Sequence, residues 1–442
     1  MHTAPQAGSD PAKAGPADEG HSGAGGFILP GFGVAFALVV SLFFLWALAN
    51  NLNDILIRQF QKALGLNRAE AGFIQFVFYI GYFTMALPAG IIMRRYGYRA
   101  GILVGLALYA VGAFLFYPAS LARTFSLFLA ALYAIAAGAA FLETAANPCI
   151  AAFGAPAAAS QRLNLAQAFN GIGGVVAPLI GGLFIFSGVE HSSAALAAMS
   201  AAQRAAYRAS EAQTVQVPYL VLGLAVLLVG LAFVFAPLPR LQTGAAAPLQ
   251  AGAARRLLAR PKLRRAVIAQ FLYNGAQVGI WSFFIDFAKD ALPTITEREA
   301  AYLLSFSLVL FMLGRFAGAA LMIRFRPAVL LVGYAVVNMV LMALAVLSGG
   351  TVAVAALILS SFFMSIMFPT IFALGIEDLG PLMPLGASCL VMAVVGGAVV
   401  PPLMGQIALH AGSLHPALVL PLLCFAGVAF FARRLGERVA VA

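Results

Sequence analysis

The feature that most constrains this chain is a series of continuously apolar blocks, each about 20 residues long. Blocks of that length cross a hydrocarbon core of about 30 Å as α-helices. Their continuous apolar character excludes a β-barrel, whose strands alternate between apolar and polar residues. Only 9% of the 442 residues are charged, against roughly 25% in a soluble domain. The sequence therefore predicts an all-α polytopic membrane protein.

Twelve transmembrane helices are predicted, in two sets of six. They cover residues 33–57, 71–93, 100–117, 126–153, 163–187, 218–235, 266–287, 300–323, 328–347, 352–374, 385–409 and 416–431. The predicted organisation is a disordered tail at 1–26, a six-helix bundle at 27–238, a basic central loop at 239–265 and a second bundle at 266–442. The alanine-rich stretch 194–212, within the long outer loop 189–216, is expected to form a surface helix.

The positions of the Lys and Arg residues predict the orientation. If both termini are cytoplasmic, 17 of the 26 basic residues lie on the cytoplasmic side, eight lie outside and Arg315 lies within a span. This asymmetry follows the positive-inside rule. The net charge of +11 therefore reflects membrane topology, and it does not point to a nucleic-acid partner.

The two halves of the chain repeat each other. The motif GGVVAP at 173–178 matches GGAVVP at 396–401, 223 residues later, and Pro148 matches Pro369, 221 residues later. Gly and Pro pairs are common in membrane helices, so a chance match stays open. The shared offset favours two pseudo-symmetric halves, an arrangement typical of secondary transporters that bind substrate between the halves near the bilayer midplane.

Two carboxylates stand out because an ionisable group inside a membrane is costly and usually functional. Asp54 follows Asn50 by one helical turn, although it could also lie at the interface if the first span ends early. Glu143 lies deep in the fourth span, with Asn147 one turn later on the same face. A structural carboxylate bonded to a neighbouring helix is the alternative for Glu143. We interpret Asp54 and Glu143 as proton-coupling candidates.

Two stripes of amides follow the spacing of helix faces. Asn164, Gln167 and Asn170 lie in the fifth span, whereas the seventh carries Gln270, Asn274, Gln277 and then Trp281. Amides donate and accept hydrogen bonds, and a flat ring stacks on the apolar face of a sugar. Bonding between helices is the alternative. One such stripe in each half favours a sugar-binding site.

Other features narrow the class of protein. Arg315 lies inside the eighth span and is interpreted chiefly as a structural charge that needs a partner. The chain lacks a GxxxxGK[ST] phosphate loop, a metal-ligand cluster and a Ser-His-Asp set. We therefore expect a carrier with no cofactor and no metal, and not an enzyme. A proton-coupled drug exporter and a sugar-sensing receptor remain alternatives.

Several motifs are similar to those of a known family. The two six-helix halves resemble the major facilitator superfamily, and GIIMRRYGYR at 90–99 resembles its loop motif, with Arg94 in place of the usual acid. Within that superfamily the chain resembles the fucose–proton symporter family. The motifs that carry this resemblance are NNLNDIL at 50–56, LETAANP at 142–148, RLNLAQAFN at 162–170, GRFAG at 314–318 and FPTIF at 368–372.

The resemblance implies the major facilitator fold and proton-coupled uptake of L-fucose, or a related hexose, across a bacterial inner membrane by a monomer. It places the two key carboxylates on Asp54 and Glu143, and sugar contacts on Asn50, Gln167 and Asn170. Met367 and Phe368 resemble the glucose/galactose branch, whereas Glu143 favours the fucose branch and receives more weight. N-acetylglucosamine stays a possible substrate. The expected binding set is completed by Asn147, Gln270, Asn274, Gln277, Trp281 and Phe368.

Overall fold

The computed structural model describes residues 26–64, 68–185, 198–238, 257 and 259–439, except for the side chains at 53–58, 60–62, 68–73, 75, 178–179, 181–182, 297–298 and 435–439. The principal helices are α1 Gly33–Leu64, α2 Arg68–Tyr96, α3 Tyr98–Ala122, α4 Phe125–Ala152, α5 Ala159–Ile180, α6 Ala201–Gln213, α7 Gln216–Phe235, α8 Pro261–Ser282, α9 Phe284–Ala291, α10 Glu297–Leu321, α11 Pro327–Leu347, α12 Gly350–Met364, α13 Met367–Ile376, α14 Met383–Met392, α15 Gly396–Ala411 and α16 Val419–Val439. A π-helical turn, Gly181–Ile185, continues α5. The predicted tail at 1–26 and most of the central loop at 239–265 lie outside the described residues.

Each of the twelve predicted spans corresponds to one helix or to two consecutive helices. Among the described residues, ten helical stretches are long and apolar enough to cross a membrane. They do not include α8, which carries one of the amide stripes. Its polar residues lower the mean hydropathy, as expected for a helix that faces a polar interior and not lipid. Part of the fifth span lies outside the described residues.

Three predicted spans are interrupted, which the apolar pattern did not indicate. The seventh span ends as α8 at Ser282, and the separate helix α9 follows. The tenth divides into α12 and α13, and the eleventh into α14 and α15 around a short 3-10 turn. In the tenth span Pro369 has no N–H to donate to the Ser365 carbonyl one turn earlier. The break therefore leaves a backbone acceptor at membrane depth.

The repeated glycines make equivalent contacts in the two halves. A Cβ atom on Gly173 would lie 2.7 Å from the Phe44 carbonyl oxygen, so α5 packs closely on α1. A Cβ atom on Gly396 would collide with the Phe271 carbonyl, so α15 packs closely on α8. The first helix of each half thus packs against the fifth at a glycine. The repeat in the sequence reflects a repeated packing contact.

Arg162 fixes the turn between α4 and α5, the helices that carry Glu143 and Gln167. Its guanidinium is fully buried and donates to the carbonyls of Ile150 at 3.0 Å, Gly154 at 3.1 Å and Ala155 at 3.0 Å. These acceptors lie at the end of α4 and just after it, where helix carbonyls lack intrahelical partners and attract a cation.

The outer loop contributes a helix that docks on α1. The described part of the expected surface helix at 194–212 contains α6, whose first turn carries a capping box of Ser200 and Gln203; residues 194–197 lie outside the described residues. The buried Gln59 amide on α1 donates to Glu211 Oε2 at 2.7 Å and to the Glu211 carbonyl at 2.8 Å. α6 thereby covers the end of the helix that carries Asn50.

The two halves touch at the end of the bundle that carries Arg94, Arg95 and Arg99, called here the arginine-rich end. A Cβ atom on Gly90 of α2 would collide with the Ser388 hydroxyl and lie 2.8 Å from the Pro384 carbonyl oxygen, both on α14. At the same end, Asn164 of α5 donates to the Thr370 hydroxyl of α13 at 3.2 Å. These contacts close the interface between the halves on this side.

Candidate binding cavity

A cavity of about 470 Å³ lies between the two halves, a size typical of small-molecule sites. α1, α2, α4 and α5 line it from the first half, and α8, α10 and α13 line it from the second. The side chains on its wall are Trp46, Asn50, Asn51, Phe78, Tyr79, Tyr82, Glu143, Gln167, Asn170, Asn274, Gln277, Val278, Trp281, Ser282, Leu304, Leu308, Phe311, Arg315, Phe368 and Val394. The two walls differ in character: amide and carboxyl groups dominate the first half, whereas aromatic and aliphatic side chains dominate the second.

Glu143 is the one carboxylate on the described cavity wall, and it is only 5% exposed. The Tyr82 hydroxyl lies near its carboxyl group and donates to Asn50 Oδ1 at 3.2 Å. A protonated carboxyl is able to donate to a hydroxyl oxygen. The three side chains, from α4, α2 and α1, thus lie together on one side of the cavity.

Asp54 lies on α1, four residues beyond Asn50. The helix continues without interruption to Leu64, so α1 does not end before this residue. Its side chain lies outside the described residues, and its role in proton coupling stays a prediction.

On α5, Gln167 and Asn170 line the cavity as expected for sugar contacts. Asn170 donates through its amide to the Phe43 carbonyl at 3.2 Å, and its Oδ1 accepts from Arg315 at 3.1 Å. Asn147 does not reach the cavity wall. It is fully buried behind Gln167, whose amide lies 3.5 Å from Asn147 Oδ1. In this conformation Asn147 supports Gln167 and does not contact a ligand directly.

The stripe on α8 is divided by depth. Asn274, Gln277 and Trp281 line the cavity, whereas Gln270, one turn closer to the arginine-rich end, is fully buried. Neither side-chain polar atom of Gln270 has a hydrogen-bond partner in the described part of the chain. An unpaired buried amide costs about 1–3 kcal/mol. Gln270 does not line the cavity in this conformation, and its binding role stays a prediction.

Arg315 joins the two halves at the floor of the cavity. From α10 its guanidinium donates to the Gln167 carbonyl and, at 3.1 Å, to Asn170 Oδ1, both on α5. Its Nε donates to the Ser365 carbonyl at 3.4 Å, the acceptor that Pro369 leaves without a helical partner. The partner expected for this buried charge is therefore a set of oxygen acceptors in both halves, and Arg315 also lines the cavity.

Aromatic side chains form the opposite wall. Trp281 and Phe311 meet edge to face with ring centroids 4.9 Å apart, and the Arg315 guanidinium lies 4.4 Å from the Phe311 ring centroid. Phe368 stacks on Phe372 and reaches the cavity as expected. Tyr82 and Phe311 were not among the predicted site residues, since aromatic residues in membrane helices usually pack against apolar neighbours.

The arrangement is suited to a small polyhydroxylated ligand with one apolar face. Amide and carboxyl groups on the first half bond hydroxyls, and the aromatic wall packs against carbon. The buried carboxyl of Glu143 on the same wall is the candidate for a proton-binding group.

Comparisons with known proteins agree with this description. Residues 32–383 match the family model described as Major Facilitator Superfamily. The L-fucose-proton symporter of Escherichia coli strain K12 is 45% identical over 90% of this chain and 92% of its own length. A glucose/galactose transporter of Brucella abortus is 36% identical over 90% of this chain and 93% of its own length.

Solved structures point the same way. A major facilitator superfamily transporter crystallised in the outward conformation superposes with a TM-score of 0.85, at 45% sequence identity, over 91% of this chain and 98% of its own length. At that coverage the match extends over both halves.

Proposed function

Because this chain belongs to the major facilitator superfamily, and within it to the family of the L-fucose–proton symporters, we propose that it imports L-fucose, or a closely related hexose, together with a proton. The observation that carries the proposal is the cavity between the halves, where Glu143 and the α5 amides face an aromatic wall. The 45% identity to an L-fucose-proton symporter supports the choice of substrate and of coupling ion.

Sugar binding is assigned to both walls. Asn50, Gln167 and Asn170 of the first half, with Asn274 and Gln277 of the second, bond the hydroxyls. Trp281 packs its ring against the apolar side of the pyranose, with Phe368 completing the pocket. A 6-deoxyhexose suits this wall, because its methyl group gains from contact with Trp281 and the neighbouring leucines, whereas a hydroxyl there would lose hydrogen bonds to water.

In the proposed transport cycle, the two ends of the cavity open in turn. The bundles 27–238 and 266–442 move against each other to open them. The contacts of Gly90 with α14 and of Asn164 with Thr370 close the arginine-rich end, which the positive-inside rule assigns to the cytoplasm. We infer that this conformation faces outward and that both termini are cytoplasmic. The protein is assigned to the bacterial inner membrane as a monomer.

Proton coupling is divided between the two carboxylates. Asp54, toward the outer end of α1, takes up the proton from the outside, and its neutralisation removes the cost of closing the outer end over a charge. Glu143 accepts a sugar hydroxyl and shares the proton through Tyr82. Sugar and proton then leave when the cytoplasmic end opens, where Gln270 gains access to the cavity.

A glucose/galactose transporter is the second candidate. The relative from Brucella abortus, at 36% identity, and the Met367–Phe368 pair support it. The buried carboxyl of Glu143 on the cavity wall supports the L-fucose assignment. A proton-coupled drug exporter fits less well, because four amides and a carboxyl line the first-half wall of the cavity.

Counterflow into proteoliposomes tests the proposal. Vesicles loaded with L-fucose are diluted into labelled L-fucose and challenged with excess L-fucose, D-galactose, D-glucose or N-acetylglucosamine, with and without an acidic outside. We expect L-fucose to compete most strongly, and net uptake only with the proton gradient. Stronger competition by D-glucose or D-galactose would support the second candidate, and no counterflow of any hexose would overturn sugar transport.

Asp54→Asn tests the first proton site. The amide has the shape of the protonated carboxyl but cannot release a proton, so we expect uphill accumulation to be lost while counterflow persists. Asp286→Asn, a change at an exposed residue of α9 that does not line the cavity, is the control and should accumulate sugar like the unmodified protein. Proton-dependent accumulation by Asp54→Asn would show that the coupling proton binds elsewhere.

A further inference from the structure

The indole N–H of Trp281 is already used within the protein. It donates to the Ser361 hydroxyl at 3.1 Å, and Ser361 in turn lies 2.6 Å from the Ser307 hydroxyl. Both serine side chains are fully buried. The indole is therefore bonded to a dry pair of hydroxyls and not to water in the cavity, and only its ring is left for a ligand.

This bond fixes the ring relative to three helices. Trp281 belongs to α8, Ser361 to α12 and Ser307 to α10. Phe311, one turn after Ser307 on α10, holds the indole from the side in an edge-to-face contact with an interplanar angle of 84°. A hydrogen bond at one edge and an aromatic contact at another leave the indole little freedom to rotate.

The same face of α10 continues to the other half of the protein. Ser307, Phe311 and Arg315 follow at four-residue spacing and so lie along one side of the helix. Arg315 donates to Gln167 and Asn170 on α5. One helix face therefore connects the orientation of the indole to two candidate sugar contacts across the interface between the halves.

We propose that Ser307 and Ser361 are positioning residues that hold the Trp281 ring parallel to the sugar and so set the affinity of the site without touching the ligand. The proposal rests on the sugar-binding function proposed above. It adds that Trp281 recognises the sugar through its ring face alone, since its single donor is occupied. Specificity at this wall then depends on shape and apolar contact and not on a hydroxyl bonded to the indole.

The key variant is Ser361→Ala, which removes the acceptor of the indole N–H. We expect the apparent KM for L-fucose in counterflow to rise about 3- to 10-fold, because that is the effect of losing one net hydrogen bond. The maximal rate should stay unchanged. Ser307→Ala should give a smaller rise, because Ser361 still accepts from Trp281. Ser361→Thr keeps a hydroxyl and should restore most of the affinity.

Ser360→Ala is the matched control. Ser360 is the neighbouring residue, equally buried, and its hydroxyl donates only to the Leu357 carbonyl of its own helix at 2.8 Å. If Ser360→Ala raises the KM as much as Ser361→Ala, the effect is a general loss of packing in α12, and the positioning role is wrong.

Fluorescence separates this proposal from the proposed function. The chain has two tryptophans, Trp46 and Trp281, so a Trp46→Phe background reports Trp281 alone. Without any sugar, Ser361→Ala should move the Trp281 emission to shorter wavelength and broaden its anisotropy decay, whereas Ser360→Ala should not. An unchanged emission overturns the positioning role. A changed emission with no binding of any hexose by the unmodified protein overturns the proposed function and leaves the indole contact standing.

Discussion

Glu143→Gln is expected to abolish proton-driven accumulation of sugar and to leave exchange of sugar across the membrane largely intact. Glutamine cannot ionise, so the cavity loses the one described carboxyl that can pass a proton to the Tyr82–Asn50 chain. Initial net uptake should fall on the order of 100-fold, the scale of a lost charged hydrogen bond of about 3 kcal/mol. The measurement is net uptake against counterflow in the same proteoliposomes.

Exchange should survive because the amide oxygen of glutamine still accepts a sugar hydroxyl. The affinity of the Glu143→Gln variant for sugar should drop by about 5-fold, because a neutral acceptor forms a weaker hydrogen bond than a charged one. Glu299→Gln is the matched control, since Glu299 is exposed in the first turn of α10 and glutamine also serves a capping box. Accumulation and affinity both unchanged in Glu143→Gln would remove Glu143 from the mechanism.

The twelve helices could be predicted because a bilayer requires long apolar segments, and the repeat of Gly173 and Gly396 revealed the two halves. The breaks in the seventh, tenth and eleventh spans could not, since apolar character continues through them. Pro369 was visible in the sequence, but the donor that satisfies the freed Ser365 carbonyl is the guanidinium of Arg315 on another helix. Such compensation depends on long-range packing that a local pattern does not contain.

The candidate site was predicted by residue type, and the predicted residues that do not line the cavity in this structure differ from the others in depth. Gln270 and Asn274 share one helix face, yet only Asn274 reaches the cavity. The arginine-rich end is closed in this conformation and covers the turn of α8 that carries Gln270. Asn147 is an amide at membrane depth, as is Gln167, but it lies behind Gln167 and away from the cavity wall. Tyr82 gave no signal, since a tyrosine in an apolar helix resembles any packed aromatic residue until its hydroxyl is placed beside Glu143 and Asn50.

Arg315→Met is expected to cause a loss of transport as large as that of any single change in the cavity. It removes the donor to Gln167, to Asn170 and to the Ser365 carbonyl, and so leaves three acceptors unpaired at membrane depth. Both net uptake and exchange should fall on the order of 100-fold, because breaking a buried charged contact costs about 3 kcal/mol or more. Arg264→Met, which removes an exposed arginine from α8, is the control and should transport normally.

Arg315→Lys distinguishes charge from geometry. Lysine keeps the positive charge but lacks the planar fork that reaches α5 and the Ser365 carbonyl together, so we expect it to recover less than a tenth of transport. A cysteine placed at Ser388, where α14 meets Gly90, reports the conformation in a Cys389→Ser background. If Arg315 holds the halves together, Arg315→Met should make this cysteine react faster with a thiol reagent. Normal transport by Arg315→Lys would mean that charge alone suffices, and unchanged reactivity in Arg315→Met would mean that the bridge does not stabilise the closed end.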